Sequence, residues 1–335
     1  MKNGIEGISK LWFWLALSLF VVMFLLLMVQ IDRQWTRMNE MTRIMEEQAK
    51  DIRATRGLLR NLEQTLRTAE FSRNPNSQPV SPKDIRGTDA FERARLAAEK
   101  EDYAQGDWLM MAFASNIRTL TPLVSADAYS SEVQQYVLES LLVRNPDTLE
   151  WNGLLAEDWS TSSDGLTITF ALRRDITFSD GEPLTARDVE FTFNFIMNEA
   201  IAAPRSRAYL SRMERVTALD DYHVEFVFKE PYFNSLQLAG SIDVLPEHFY
   251  GRFLDDPQTF NESRGLLLGS GPFRLSNPEG WSPDKGVVEL VRNPRYWGPV
   301  SASFDRIVWR IIENDSARLT TFRNGDIDVY SAPPR

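Results

Sequence analysis

At 335 residues with 43% apolar side chains, the chain is long enough for two domains and a sizeable buried core. It has no cysteine, which excludes disulfides, thiolate catalysis and cysteine-based metal sites; its two histidines, His223 and His248, lie too far apart in sequence to suggest a metal or acid–base centre. Net charge is −10, and residues 107–335 hold 33 Asp+Glu against 21 Lys+Arg; a body so acidic repels phosphate backbones, so nucleic acid is not expected as a partner.

Residues 1–10 read as a short cytoplasmic N-terminus and residues 11–31 (LWFWLALSLFVVMFLLLMVQI) as a transmembrane signal anchor. The run is uncharged, and as a helix it would be about 31 Å long, matching the hydrocarbon layer of a bilayer. Lys2 and Lys10 precede it as in a signal peptide. It is longer than the apolar core of such peptides, usually about 7–15 residues, and no small-residue cleavage pattern follows. An uncleaved anchor is the better reading, with a cleaved peptide as the alternative.

Residues 32–70 carry heptads. Ile31, Met38, Met45, Ile52, Leu59 and Leu66 recur at every seventh position, while Met41, Leu62 and Ala69 share the second seam with Gln34, Gln48 and Thr55. One apolar seam and one mixed seam predict a weak coiled-coil stalk, about 58 Å long if upright, whose self-association would make the anchor oligomeric. A single amphipathic helix lying along the membrane or the body is the alternative. Residues 71–106 form a linker, rich in Pro, Ser and Asn at 71–82, with a short helix expected to start at Thr88 or Asp89 and run through 91–100.

From Trp108 the pattern changes. Residues 108–113 (WLMMAF) suit a buried strand, and 131–144 suit a helix with Val133, Val137, Leu138, Leu141 and Leu142 on its apolar face. Residues 166–172 (LTITFAL) alternate as a strand after the Asp164-Gly165 turn. Thr185 and Asp188 form a capping-box pair for a helix through Val189, Phe191, Phe195 and Ile196. Residues 224–228, 287–292, 307–312 and 327–330 read as further strands, 269–275 as a glycine turn opening a strand, and 316–323 as a helix. The order is mixed α/β with many antiparallel neighbours.

Catalytic signals are weak. Asp164-Gly165, Asp180-Gly181 and Gly325-Asp326 sit in turns, where these residue types serve backbone geometry. Residues 269–272 (GSGP) lack the Gly-Lys-Ser/Thr of a phosphate loop and the spacing of a nucleophile elbow. No catalytic residue, metal or cofactor is therefore expected. Trp159, Trp281 and Trp297 fit a ligand site or, more commonly for aromatics, a core.

Taken in order, several motifs resemble the family 5 extracellular solute-binding proteins, the peptide, dipeptide and nickel receptors of ABC importers. They are 138–142 (LESLL), 155–159 (LAEDW), 164–173 (DGLTITFALR), 178–189 (FSDGEPLTARDV), 269–275 (GSGPFRL), 292–298 (RNPRYWG) and 324–329 (NGDIDV). The resemblance implies an α/β periplasmic-binding-protein-like fold of type II. Lobe I would comprise 107–134 and 236–331, and lobe II 135–235, within a solute-binding domain at 107–335. Residues 331–335 fall where the family's hinge crosses to lobe III, so that lobe is expected to be missing from this chain. The cleft wall that remains would present Ser115 and Asn116, with Tyr209 from lobe II. The implied partners are a peptide ligand, an ABC transporter permease and, through the single span, the cell membrane, with the body on the periplasmic or extracellular side. Strand-addition binding is the expected mode, and closure of the lobes the expected response. A stalked scaffold or sensor that no longer binds ligand is the competing reading; an enzyme is not expected.

Overall fold

The computed structural model describes residues 90–332 apart from residue 126. The proposed anchor, the stalk and most of the linker lie outside the described residues, and among the latter no helix is long and apolar enough to cross a membrane. The first element is helix α1, Glu92–Ala98, which begins after Phe91; the expected caps Thr88 and Asp89 also fall outside the described residues.

Strand β1 (Trp108–Phe113) follows, then helix α2 (Ala128–Gln134), the short pair β2 (Leu142–Arg144) and β3 (Trp151–Gly153), and the strands β4 (Ala156–Thr161) and β5 (Thr167–Leu172). Next come helices α3 (Ala186–Met197) and α4 (Pro204–Leu210), strands β6 (Met213–Ala218) and β7 (His223–Phe228), and three short helices, α5 (Ser235–Gly240), α6 (Glu247–Tyr250) and α7 (Pro257–Glu262). The two-residue β8 (Phe273–Arg274), β9 (Val287–Arg292), β10 (Arg306–Ile311) and helix α8 (Asp315–Arg323) complete the order.

Two four-stranded sheets result. In the first the order is β1-β10-β9-β8, with β1 parallel to β10 and the other neighbours antiparallel. The second is wholly antiparallel, in the order β4-β5-β7-β6. Alternation explains the second sheet. Ile168, Phe170 and Leu172 on β5, and Val224, Phe226 and Phe228 on β7, point to one face and are buried there, while their intervening neighbours are partly exposed. Phe170 and Phe226 meet edge to face with ring centroids 5.4 Å apart. Each buried aromatic of this kind contributes about 1.5–3 kcal/mol.

Helix α3 lies between this face and the residues that follow Leu245. Its start is set by the expected capping box, in which the Thr185 backbone N–H donates to Asp188 Oδ2 at 2.8 Å. Val189, Phe191, Thr192, Phe193, Phe195 and Ile196 are all buried, so the helix is covered on more than one side. Phe195 meets Phe260 of α7 at 5.0 Å, and Thr192 Oγ1 accepts from the Leu245 N–H at 2.8 Å. Asp188 also accepts from the Glu247 N–H at 3.0 Å, tying the start of α3 to the start of α6.

Two expected elements are different in the structure. The helix expected over 131–144 is α2, which starts three residues earlier and stops at Gln134. Beyond it the main-chain carbonyls are taken by distant partners: Tyr136 O by the Phe273 N–H at 3.0 Å, Val137 O by Gly271 at 2.9 Å, and Glu139 O by Val244 at 2.9 Å. These tertiary bonds replace the helical ladder, and the apolar Leu138, Leu141 and Leu142 are buried in an extended passage instead. Residues 327–330 do not form a strand either. The Asp328 N–H bonds to Met110 O at 2.7 Å, but the Met110 N–H is answered by the Asp328 side chain, also at 2.7 Å, so a carboxylate takes the place of the next ladder carbonyl.

Glu139 gathers three of the motifs on one buried carboxylate. Its Oε2 accepts from Ser270 Oγ and from Trp297 Nε1, each at 2.7 Å, and its Oε1 from the Tyr296 hydroxyl at 3.0 Å. Trp281 is likewise structural, buried with its indole N–H on Val287 O at 2.9 Å, and Trp159 packs against the core. The nearby glycine Gly269 is forced by proximity: a Cβ there would stand 2.2 Å from Val137 O.

Candidate functional site

The seven-residue helix α2 separates two cavities. Successive side chains on a helix are about 100° apart, so Tyr129 and Glu132 point one way, Ser131 and Gln134 another. The first pair lines a cavity of about 410 Å³ at the carboxyl end of β1, the second a cavity of about 590 Å³.

The smaller cavity is walled by Phe113, Ala114, α2, α8 and residues 327–332. Its aromatic side is a stack: Phe113 lies 4.4 Å from Tyr129 and 5.7 Å from the fully buried Trp309, at interplanar angles of 28° and 12°. Its polar side is a linked set. The Tyr330 hydroxyl donates to both oxygens of Asp315 at 3.1 Å, and Arg318 Nη2 donates to Asp315 Oδ1 at 2.8 Å. Arg318 Nη1 is held by the carbonyls of Ile312 at 2.8 Å and Glu313 at 3.0 Å, so the guanidinium is fixed in place. Surrounding protein, the bond to Asp315 and the charge of Asp315 together keep the proton on Tyr330. On α2, Glu132 accepts from Trp309 Nε1 at 3.1 Å; burial first, and the Glu132 charge second, raise the neighbouring Tyr136. The arrangement offers aromatic contact, fixed donors and fixed acceptors, the kinds of group that hold a polar ligand.

The larger cavity lies between α2, α4 and residues 241–245, with Leu138, Ile196, Leu210 and Leu245 forming its apolar lining. Tyr209 lines it and is 49% exposed. Arg205, Ser206 and Asp243 add polar groups. Asp243 is open to the cavity, yet protein surrounds it closely enough that loss of hydration pushes its carboxyl up to about 6.

Of the residues expected from sequence, Ser115 and Asn116 are exposed on the turn after β1, and the Asn116 amide donates to Pro283 O at 3.3 Å. Neither lines the smaller cavity, whose wall along β1 ends one residue earlier at Ala114. Nor does either line the cavity of Tyr209, so the structure does not bring the three together in one pocket. Sequence reasoning missed Tyr129, Glu132, Asp315, Arg318, Tyr330 and Asp243. The signal for Tyr330 was its place directly after the last motif; the others carried none. The histidines are each paired with a nearby acid, His223 Nδ1 with Asp220 and His248 Nε2 with Asp180. Among the described residues, no group of three or more His, Asp or Glu is placed to hold a metal ion.

The mixed sheet, the antiparallel sheet and the helices between them form an α/β, periplasmic-binding-protein-like fold. The chain belongs to the bacterial extracellular solute-binding proteins, family 5, whose middle part matches residues 150–335. Protein XP55 of Streptomyces lividans is 34% identical over 230 residues, covering 68% of this chain and 39% of its own length. A probable D,D-dipeptide-binding periplasmic protein, DdpA of Escherichia coli, is 28% identical over 235 residues, covering 68% of this chain and 44% of its own. Among solved structures, the ABC transporter-associated periplasmic binding protein DppA from Helicobacter pylori, in complex with the peptide STSA, superposes with a TM-score of 0.57 at 27% identity, covering 67% of this chain and 46% of that one. The chain therefore spans about two fifths of the length of these curated relatives.

Proposed function

We propose that this chain belongs to the ligand-capturing component of an ABC importer for oligopeptides or dipeptides, tethered to the cell membrane with its body in the periplasm or extracellular space. The observation that carries the reading is the cavity at the carboxyl end of β1, where aromatic rings and the fixed Asp315–Arg318–Tyr330 set face open space. Family membership supports it, as do the peptide in the DppA structure and the dipeptide in the name of DdpA. Residues 11–31 are the proposed anchor and 32–70 the proposed stalk, on the strength of the uncharged run and the heptads. The solute-binding domain divides into lobe I, at 107–134 and 236–331, and lobe II, at 135–235. In support, the first sheet draws its strands from 108–113 and 273–311, and the second from 156–228.

The test is calorimetric titration of the full chain in detergent with tetrapeptide and dipeptide mixtures. Heat of binding that is lost in Arg318→Ala supports the reading. Silence with every peptide pool, from protein whose circular dichroism shows it folded, would favour a stalked scaffold that holds no ligand.

A further inference from the structure

The smaller cavity, at the carboxyl end of β1, is lined by two carboxylates, and only one of them is answered by a cation. Asp315 accepts from Arg318 and from the Tyr330 hydroxyl. Glu132, on α2, has one neutral donor: its Oε1 accepts from Trp309 Nε1 at 3.1 Å, while its Oε2 has no hydrogen-bond or ion-pair partner among the described residues. That single bond orients the side chain, because Trp309 is fully buried and its indole N–H has one fixed direction. Among the described residues Arg318 is the only basic one in the lining, and Asp315 and the carbonyls of Ile312 and Glu313 already engage it. Beside Glu132 stands an aromatic face. Tyr129, three positions earlier on α2, lines the same cavity; Phe113 stacks on one side of its ring at 4.4 Å, which leaves the other side to the cavity. The body as a whole has the same sign as Glu132, with 33 Asp+Glu against 21 Lys+Arg over residues 107–335, and such a field raises the local concentration of cations.

We propose that Glu132 is a specificity-determining residue of this cavity: it takes the ammonium or guanidinium of a lysine or arginine side chain, laid over the face of Tyr129, so that the substrate class is basic peptides. An oriented carboxylate with one free oxygen is matched by a charge-assisted N–H donor, and the ring face beside it attracts the same cation through its quadrupole. An apolar side chain of equal length would cover the carboxylate and leave its free oxygen unanswered, and an acidic one would bring up a like charge. Arg318 keeps Asp315 occupied, so discrimination by charge falls to Glu132.

The proposal rests on the peptide reading above, and its test separates the two. The tripeptides Ala-Lys-Ala, Ala-norleucine-Ala and Ala-Glu-Ala, identical at their termini, are titrated at one ionic strength into the full chain and into Glu132→Gln, which preserves the side-chain volume and an acceptor for Trp309. The norleucine side chain is that of lysine without its ammonium. In the native protein the lysine peptide should bind roughly tenfold more tightly than the norleucine peptide, with the glutamate peptide weakest, and Glu132→Gln should erase the lysine advantage. Equal affinities for the lysine and norleucine peptides in the native protein overturn the proposal while leaving peptide capture intact. A lysine preference that survives Glu132→Gln also overturns it, since its source would then be the acidic body as a whole. Silence with all three peptides overturns the proposal and peptide capture together.

Discussion

Replacing Glu139 by leucine should destabilise the folded body by about 3–5 kcal/mol. The carboxylate accepts from Ser270, Tyr296 and Trp297, and leucine accepts from none of them. Each buried donor left stranded costs about 1–3 kcal/mol. The hydroxyls of Ser270 and Tyr296 can rotate toward other acceptors and recover part of this, whereas the Trp297 indole is a donor with one fixed direction. For a body of this size each kcal/mol moves the thermal midpoint by about 2–4 °C, so the shift should be on the order of 10 °C. Glu139→Gln keeps an acceptor oxygen and the volume, and should lose only about 1 kcal/mol. The pH dependence has a definite sign. Burial is the main influence on this carboxyl and raises it, while the bonds from Trp297, Ser270 and Tyr296 draw it part of the way back. The folded protein therefore holds the proton more tightly than the unfolded chain does. Its contribution is complete below the ordinary carboxylate range and is lost as pH rises through the raised folded value. Thermal melts followed by circular dichroism across that interval should show native stability falling with pH, and Glu139→Gln falling less. A Glu139→Leu midpoint within about 2 °C of the native protein would show that the three donors do not depend on this residue.

Three further outcomes are expected. Gly269→Ala should cost about 3 kcal/mol in denaturant unfolding, because its Cβ would lie 2.2 Å from the Val137 carbonyl oxygen, a backbone atom that has no rotamer to escape into. Asp188→Ala should cost about 2–3 kcal/mol by the same assay, since it removes the acceptor for the Thr185 and Glu247 N–H groups; a loss below about 0.5 kcal/mol would mean water replaces it freely. Phe226→Ala should cost about 3–5 kcal/mol and leave a void beside Phe170, which an apolar probe such as benzene would partly refill with a measurable gain in midpoint.

Much of the second sheet was legible because period-2 alternation is strong where one face is buried: 166–172 and 224–228 announced β5 and β7 directly. The Thr185–Asp188 pair announced α3, since a capping box is local chemistry. The passage after Gln134 was not legible. Val137, Leu138, Leu141 and Leu142 have helical spacing, yet the carbonyls of Tyr136, Val137 and Glu139 in the same passage bond to residues more than a hundred positions away, a fact no local pattern contains. The site was harder still. Ser115 and Asn116 follow directly on Ala114, where the cavity wall ends, and Tyr129, Asp315 and Arg318 carry no local signal until the fold stacks or locks them.

The parallel pairing of β1 with β10 also dictates an order of events during synthesis. Strands β4 to β7 are joined by local connections and can pair as soon as they are made, but Trp108–Phe113 must wait for Arg306–Ile311, about 200 positions later in the chain. At a ribosomal pace of about 5–20 residues per second, that is on the order of 10–40 s. Throughout this interval an apolar strand has an unmatched edge, while the second sheet has already closed around its aromatics. A nascent chain of this protein is therefore most prone to misassociation at its earliest strand, and its yield should depend on how soon β10 arrives more than on how stable the finished body is.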